Sequence, residues 1–147
     1  MYGYKAQYRR MMEALVLAQR EHGDKQKKED ELITFFMHCW HLKDHLKNDP
    51  SVNLALRTRL VQAVHSAPSL RIAQKIANGT KHYDLKYSVA MRGAHDLTVG
   101  PLGGAPQAKT YPRVSLPGGK SERAIVLAER AAKQWLAILK KGKLPAT

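Results

Sequence analysis

The sequence predicts a mainly α-helical fold: an antiparallel bundle of four to five helices, with a small antiparallel β insert between the fourth helix and the last. Three observations predict it. Apolar residues recur at three- and four-residue steps along 4–82 and again along 121–141. Glycine and proline crowd into 83–120, between short β-prone runs. Strand and helix nowhere alternate, which disfavours a doubly wound α/β fold. At 147 residues the chain suits one domain with a core of its own, spanning 1–147.

Residues 4–22 form the first predicted helix. Tyr4, Tyr8, Met11, Met12, Leu15 and Ala18 make its apolar stripe, and Gly23 stops it. Residues 24–31 read as a charged connection. Glu29, Asp30 and Glu31 suit the positive end of a second helix running from about 29 to 47. Its core face is Leu32, Phe35, Phe36, Cys39, Trp40 and Leu46. Asn48-Asp49-Pro50-Ser51 breaks the chain, with Asp49 or Ser51 expected to cap the next helix.

The third helix is predicted over 52–65, with Leu54, Leu56, Leu60, Val61 and Val64 apolar. The fourth is predicted over 69–82, capped by Ser69 and carrying Leu70, Ile72, Ala73, Ile76 and Ala77. Gly79 is expected to loosen its end. The insert then offers strands at 85–91, 96–99 and 111–116, with a long loop near 100–109. Pro117-Gly118-Gly119-Lys120 is a turn, and Ser121-Glu122 is expected to cap a last helix of about 122–141. Ile125, Ala128, Ala132, Trp135, Leu136 and Leu139 face the core, and Lys140, Lys141 and Lys143 complement the helix dipole.

Charge separates the halves. The net charge is +13 at pH 7, with pI ≈ 10.0. Residues 1–50 contribute +1, 51–100 contribute +5 and 101–147 contribute +7. A basic field of this kind attracts phosphate backbones and releases their counterions. RNA or another polyanion is the expected partner, and an acidic protein, an antitoxin for instance, is the second class. The contacts are expected from Lys86, Arg92, Lys109, Arg113, Lys120 and Arg123. Tyr83 and Tyr87 lie among them for base stacking. The single cysteine, Cys39, permits no intrachain disulfide. The N-terminus lacks a signal-peptide core, and no run approaches the roughly 18 apolar residues of a membrane span. The expectation is a cytoplasmic protein with no membrane partner.

Chemistry has four candidate places, one of them the pair Arg59 and His65, which six residues of helix set about 120° from facing. Asn78 and His82 are four residues apart, so a helix projects both from one face, with Lys81 beside them. An imidazole moves protons near neutral pH, and an amide and an ammonium hold phosphate charge. That set suits metal-independent attack of a ribose 2′-hydroxyl on its own phosphate. His38, His41 and His45 lie on or near one face of the second helix. The His41/His45 pair has chelating spacing but lacks the HExxH arrangement. No metal and no cofactor is assigned. Asp44 is expected to orient a histidine. The glycine-rich turn before the last helix is a potential phosphate contact but lacks P-loop spacing.

The segment Ala77-Asn78-Gly79-Thr80-Lys81-His82 resembles the Arg-Asn-x-x-x-His motif of the HEPN superfamily, small helical bundles that include many RNases of toxin–antitoxin and antiphage systems. Ala77 stands where the family has arginine. Trp40-His41-Leu42-Lys43-Asp44 is similar to the polar second helix of such bundles. The wider pattern, continuing to Gln134-Trp135-Leu136, also looks like a group of bacterial and phage proteins. The resemblance implies an RNA-directed, metal-independent endoribonuclease, acting as a toxin or antiphage effector and working as a homodimer. His82 would transfer the proton, Asn78 would position, Lys81 would offset phosphate charge, and Asp44 or His41 would support them. The other expectation is a basic module that binds RNA, a ribosome or a protein without cutting, phage inhibitors included.

Overall fold

The computed structural model describes residues 3–21, 23–81, 91–98 and 107–147. For Thr80, Lys81, Pro117, 91–98 and 107–110 it describes the backbone alone. In the described chain, five helices and a three-stranded antiparallel sheet follow the predicted order: α1 (Tyr4–Gln19), α2 (Lys25–Lys47), α3 (Leu54–Ser66), α4 (Pro68–Lys81), β1 (Met91–Thr98), β2 (Gln107–Ser115), β3 (Ser121–Arg123) and α5 (Ala124–Lys141). The insert lies between α4 and α5, as the glycine and proline distribution predicts.

Helix α1 has no cap of its own, because Gly3 offers no side chain. The acceptor comes from 45 residues away: Asp49 Oδ2 takes the Tyr4 N–H at 2.9 Å. Asp49 or Ser51 was expected to cap α3, and neither does. Asn53 does so, its Oδ1 accepting from Ala55 N at 2.9 Å and Leu56 N at 3.3 Å. Asp49 also accepts from Ser51 N at 2.9 Å and Ser51 Oγ at 2.6 Å, while Arg57 Nη1 donates to its main-chain carbonyl at 2.9 Å. One buried carboxylate thus joins the start of α1 to the α2–α3 turn. At the other end of α1, the Lys28 ammonium donates to the carbonyls of Ala18 and Arg20, the placement of positive charge that a helix C-terminus favours.

Helix α2 begins a turn earlier than its apolar pattern. The charged stretch 24–31 is helix rather than connection, because Asp24 caps it, accepting from Gln26 N at 3.0 Å and Lys27 N at 3.2 Å. Helix α4 starts at Pro68, where the missing N–H costs nothing. Ser69 lies inside that first turn rather than capping it, and its N–H donates to Gln134 Oε1 of α5 at 3.2 Å. Helix α4 runs through Gly79 to Lys81.

The core joins all five helices and β2. Trp135, Phe35, Phe36, Met11, Leu32, Leu42 and Leu139 are fully buried. Phe35 and Phe36 meet edge to face, 5.3 Å apart. The buried Trp135 indole donates to the Cys39 carbonyl at 2.9 Å, so the largest core side chain brings its one polar atom to a partner. Leu42 was not expected in the core and is fully buried, while Leu54, one of the apolar positions predicted in the third helix, is 66% exposed.

The sheet departs from its predicted outline in each strand. Residues 107–109, expected in a loop, are the start of β2. Of the strand expected at 85–91, only Met91 lies within the described residues, as the start of β1. Ser121 and Glu122, expected to cap the last helix, instead form β3 with Arg123. Helix α5 starts at Ala124, and its N-cap Arg123 makes no side-chain cap bond. Glu122 instead accepts from both terminal guanidinium nitrogens of Arg130, at 3.0 and 2.5 Å. Gly118 and Gly119 turn the chain from β2 to β3 with φ of 82° and 75°, values a side chain resists. The turn closes through Leu116 N–H to Lys120 O at 2.8 Å.

Candidate nucleic-acid interface

Strand β2 packs its inward positions on α2 and α5. Val114 is fully buried and Pro112 is buried. Successive strand residues point to opposite faces, so Tyr111 and Arg113 lie on the outward side. The register then assembles charge. Arg113 is the direct partner of Arg123 on β3 and of Arg92 on β1. Four residues away along β2, Lys109 pairs with Asp96. Three arginine positions therefore form one row across the three strands.

The described side chains in this row are held in place. Arg113 Nε donates to Ser121 Oγ at 3.1 Å, and its Nη2 to the Ser121 carbonyl at 3.3 Å. The Arg123 guanidinium sits over the Tyr111 ring, Cζ 4.0 Å from the centroid, a cation–π contact. Tyr111, Arg113 and Arg123 are half-buried, and Lys120 at the hairpin turn is exposed. Like charges placed directly opposite across strands destabilise a sheet, by amounts of the order of those a good pair contributes, roughly 0.2–1 kcal/mol. The row is thus an expense for folding.

Helices elsewhere in the chain add to the positive charge. Between Asp49 and Asp84 the sequence has no acidic residue, while α3 and α4 contribute Arg57, Arg59, Arg71, Lys75 and Lys81. Near the sheet, Glu122 is committed to Arg130.

Of the predicted binding residues, the structure brings Arg92, Arg113 and Arg123 into one row, with Lys109 four residues away along β2 and Lys120 in the adjoining turn. Lys86 lies outside the described residues, as do Tyr83 and Tyr87. Sequence reasoning missed Tyr111 as the aromatic of this face. Its signal was the two-residue spacing from Arg113 in a predicted strand, which puts both on one side.

The predicted catalytic set is less complete. His82 lies outside the described residues. Asn78 is half-buried on α4, and Lys81 is the last residue of that helix. Ala77, at the arginine position of the HEPN motif, is fully buried in the core, so this position offers no phosphate ligand. Asp44 is exposed on α2, its carboxylate 3.4 Å from Lys43 Nζ. His41 is half-buried.

His38 is engaged by α1: Gln7 Nε2 donates to its carbonyl at 3.2 Å and lies 3.1 Å from Nδ1. Burial, and then the neighbouring His41 and Arg10, lower its pKa below the usual histidine value. Among the described residues, no group of three or more His, Cys, Asp or Glu side chains could hold a metal ion. Nor, among them, is any helix long and apolar enough to cross a membrane. Comparison of the chain with protein-family models, curated proteins and solved structures gives no match in any of the three.

Proposed function

We propose that the protein is an RNA-binding module whose contact surface is the outward face of the three-stranded sheet. The observation that carries this reading is the register: Arg113 lies directly opposite both Arg92 and Arg123. The tethering of Arg113 to Ser121 and of Arg123 to Tyr111 supports it, since groups already ordered lose less freedom on binding. The acid-free stretch through α3 and α4 adds to the positive charge of the molecule as a whole. The cytoplasm, where RNA is abundant, is the compartment this reading assigns.

Titration of labelled RNA at several salt concentrations tests the proposal. Three to five arginine and lysine contacts predict a log–log slope of about −2 to −3.5 on single strands. Affinity that does not change with salt contradicts it.

A second reading, metal-independent RNA cleavage, draws support from Asn78 and Lys81, both in the last turn of α4. RNA incubated with the protein in EDTA, with His82→Ala as comparison, separates the two. Cleavage by the wild type alone, leaving 2′,3′-cyclic phosphate ends, makes the protein a nuclease. Intact RNA in both leaves a binding module.

A further inference from the structure

We propose that the outer edge of β1 pairs antiparallel with the β1 edge of a second copy of this chain, about a two-fold axis at Ala94, joining the two sheets into one of six strands.

An edge strand presents a row of main-chain N–H and C=O groups that another strand can take up. In the sheet order β1-β2-β3, β1 is terminal, and among the described residues it pairs with β2 alone. Its packing among the described elements is likewise on β2. It spans eight residues, Met91–Thr98, and contains no proline, so each residue has an N–H to give. The other end of the sheet is unlike it: β3 has three residues and runs directly into α5.

Charge selects the occupant. β1 carries one arginine and one aspartate, a balance of signs within a chain of net charge +13. Arg92 and Asp96 are four residues apart, so they share a face of the strand, the face of their β2 partners Arg113 and Lys109. Antiparallel pairing of two β1 strands centred on Ala94 sets Arg92 opposite the partner's Asp96, and Asp96 opposite the partner's Arg92. On the other face it sets Met91 opposite the partner's Leu97, again twice. No other antiparallel register opposes both charges. The edge is thus complementary to itself, as a two-fold interface requires. The pairing also gives Arg92, already opposite Arg113, a negative neighbour on its other side. Each copy offers one such edge, so pairing uses both and closes at two. Self-pairing stands apart from the RNA-binding reading, because each holds without the other.

Sedimentation of the nuclease-treated full chain over a range of concentrations tests this, with two variants that each reverse one charge. Arg92→Asp leaves two negative positions on the edge, and Asp96→Arg leaves two positive ones. Each is checked for a cooperative melting transition. Wild type is expected to reach twice the mass of one chain as concentration rises. Each variant turns two opposite-charge pairs into two like-charge pairs and weakens association by roughly four- to 700-fold. An equal mixture of the two variants restores it, since the negative edge of one then meets the positive edge of the other.

Cysteine placement reports the register without relying on charge or on either variant folding. Ala94→Cys lies on the axis and is expected to crosslink to its copy through a short bis-thiol reagent. Thr98→Cys lies about 26 Å from its copy and is expected not to. The native Cys39 is buried and does not compete. A wild type that stays monomeric throughout overturns the inference. So do a dimer that both charge variants retain, folded variants that stay apart when mixed, and crosslinking at Thr98→Cys rather than at Ala94→Cys.

Discussion

Replacing Asp49 by alanine removes an acceptor that three donors share. The Tyr4 and Ser51 amides each lie 2.9 Å from the carboxylate, and the Ser51 hydroxyl lies at 2.6 Å. Ser51 is exposed, so water replaces part of what its two groups lose. The Tyr4 amide lies in a buried contact. A buried donor left without a partner costs about 1–3 kcal/mol, and loss of a helix N-cap costs about 1 kcal/mol in related contexts. These two overlap at Tyr4. Together with the partial Ser51 loss, the expected destabilisation is about 2–4 kcal/mol.

Thermal unfolding reads this as a fall in Tm of roughly 4–16 °C for a chain of this size. Gly3 supplies an internal check. A Cβ there would lie 2.6 Å from Asp49 Oδ2, so Gly3→Ala destabilises by displacing the same carboxylate. In the Asp49→Ala background that clash is gone, and Gly3→Ala then costs little. The pH dependence has a defined sign. Burial alone would raise the Asp49 pKa, but the Ser51 and Tyr4 hydrogen bonds and the charge of Arg57 together hold it below the usual carboxylate range. Its contribution is therefore complete above the unfolded value of about 3.9 and is lost as pH falls through the lower folded value. An Asp49→Ala protein within about 0.5 kcal/mol of wild type, a change ordinary for surface substitutions, refutes this account of α1 capping.

Three further expectations follow from the core and from α2. His38 has a folded pKa below its unfolded one, so its contribution to stability is present above about pH 6.5 and declines below it; His38→Gln flattens that part of the stability–pH curve, and an unchanged curve contradicts the burial argument. Trp135→Phe removes the donor to the Cys39 carbonyl and the pyrrole half of the buried indole, so urea unfolding shows the lost hydrogen bond, about 1–3 kcal/mol, plus the cost of the cavity. Cys39 is fully buried and burial pushes its thiol up to about 12, so a thiol reagent labels it only after denaturation, and rapid labelling of the native protein is the contrary result.

What was legible in the sequence was largely what periodicity encodes. The apolar stripes of α1, α2 and α5 predict Tyr4, Tyr8, Met11, Phe35, Phe36 and Trp135 as core, and all are buried. Helix starts set by capping were harder. Residues 24–31 carry no apolar repeat, so the helix that Asp24 begins there looks like a linker. Asp49 sits where a cap for α3 is expected. Its partner is Tyr4, a contact across 45 residues that no local pattern contains. Leu54 satisfies the apolar spacing of α3 yet stays exposed, because spacing sets which residues share a face and not how far a neighbour covers it.

The site follows the same division. Its cations were legible from charge and type, and its geometry was not. Arg113 and Arg123 are ten residues apart, and only the turn between them decides that they meet. Had β3 paired one residue out of step, Arg123 would have faced α2 and α5 with Val114. Asn78 and Lys81 do share the end of one helix, as their spacing predicts. Ala77, read as a motif position, is a core residue by the same helical periodicity.

The measurement that tests the central claim most directly is the salt dependence of RNA binding in two double variants. Arg113→Ala with Arg123→Ala removes the described cations of the sheet row. Lys140→Ala with Lys141→Ala removes two exposed charges from the last turn of α5 and leaves the same net charge. If the sheet is the interface, the first pair lowers the magnitude of the log–log salt slope by about 1.4, the loss of two phosphate contacts on a single strand, and the second leaves it unchanged. Equal effects of both pairs would mean that net charge alone holds the RNA, and would contradict the assignment of the sheet as the binding face.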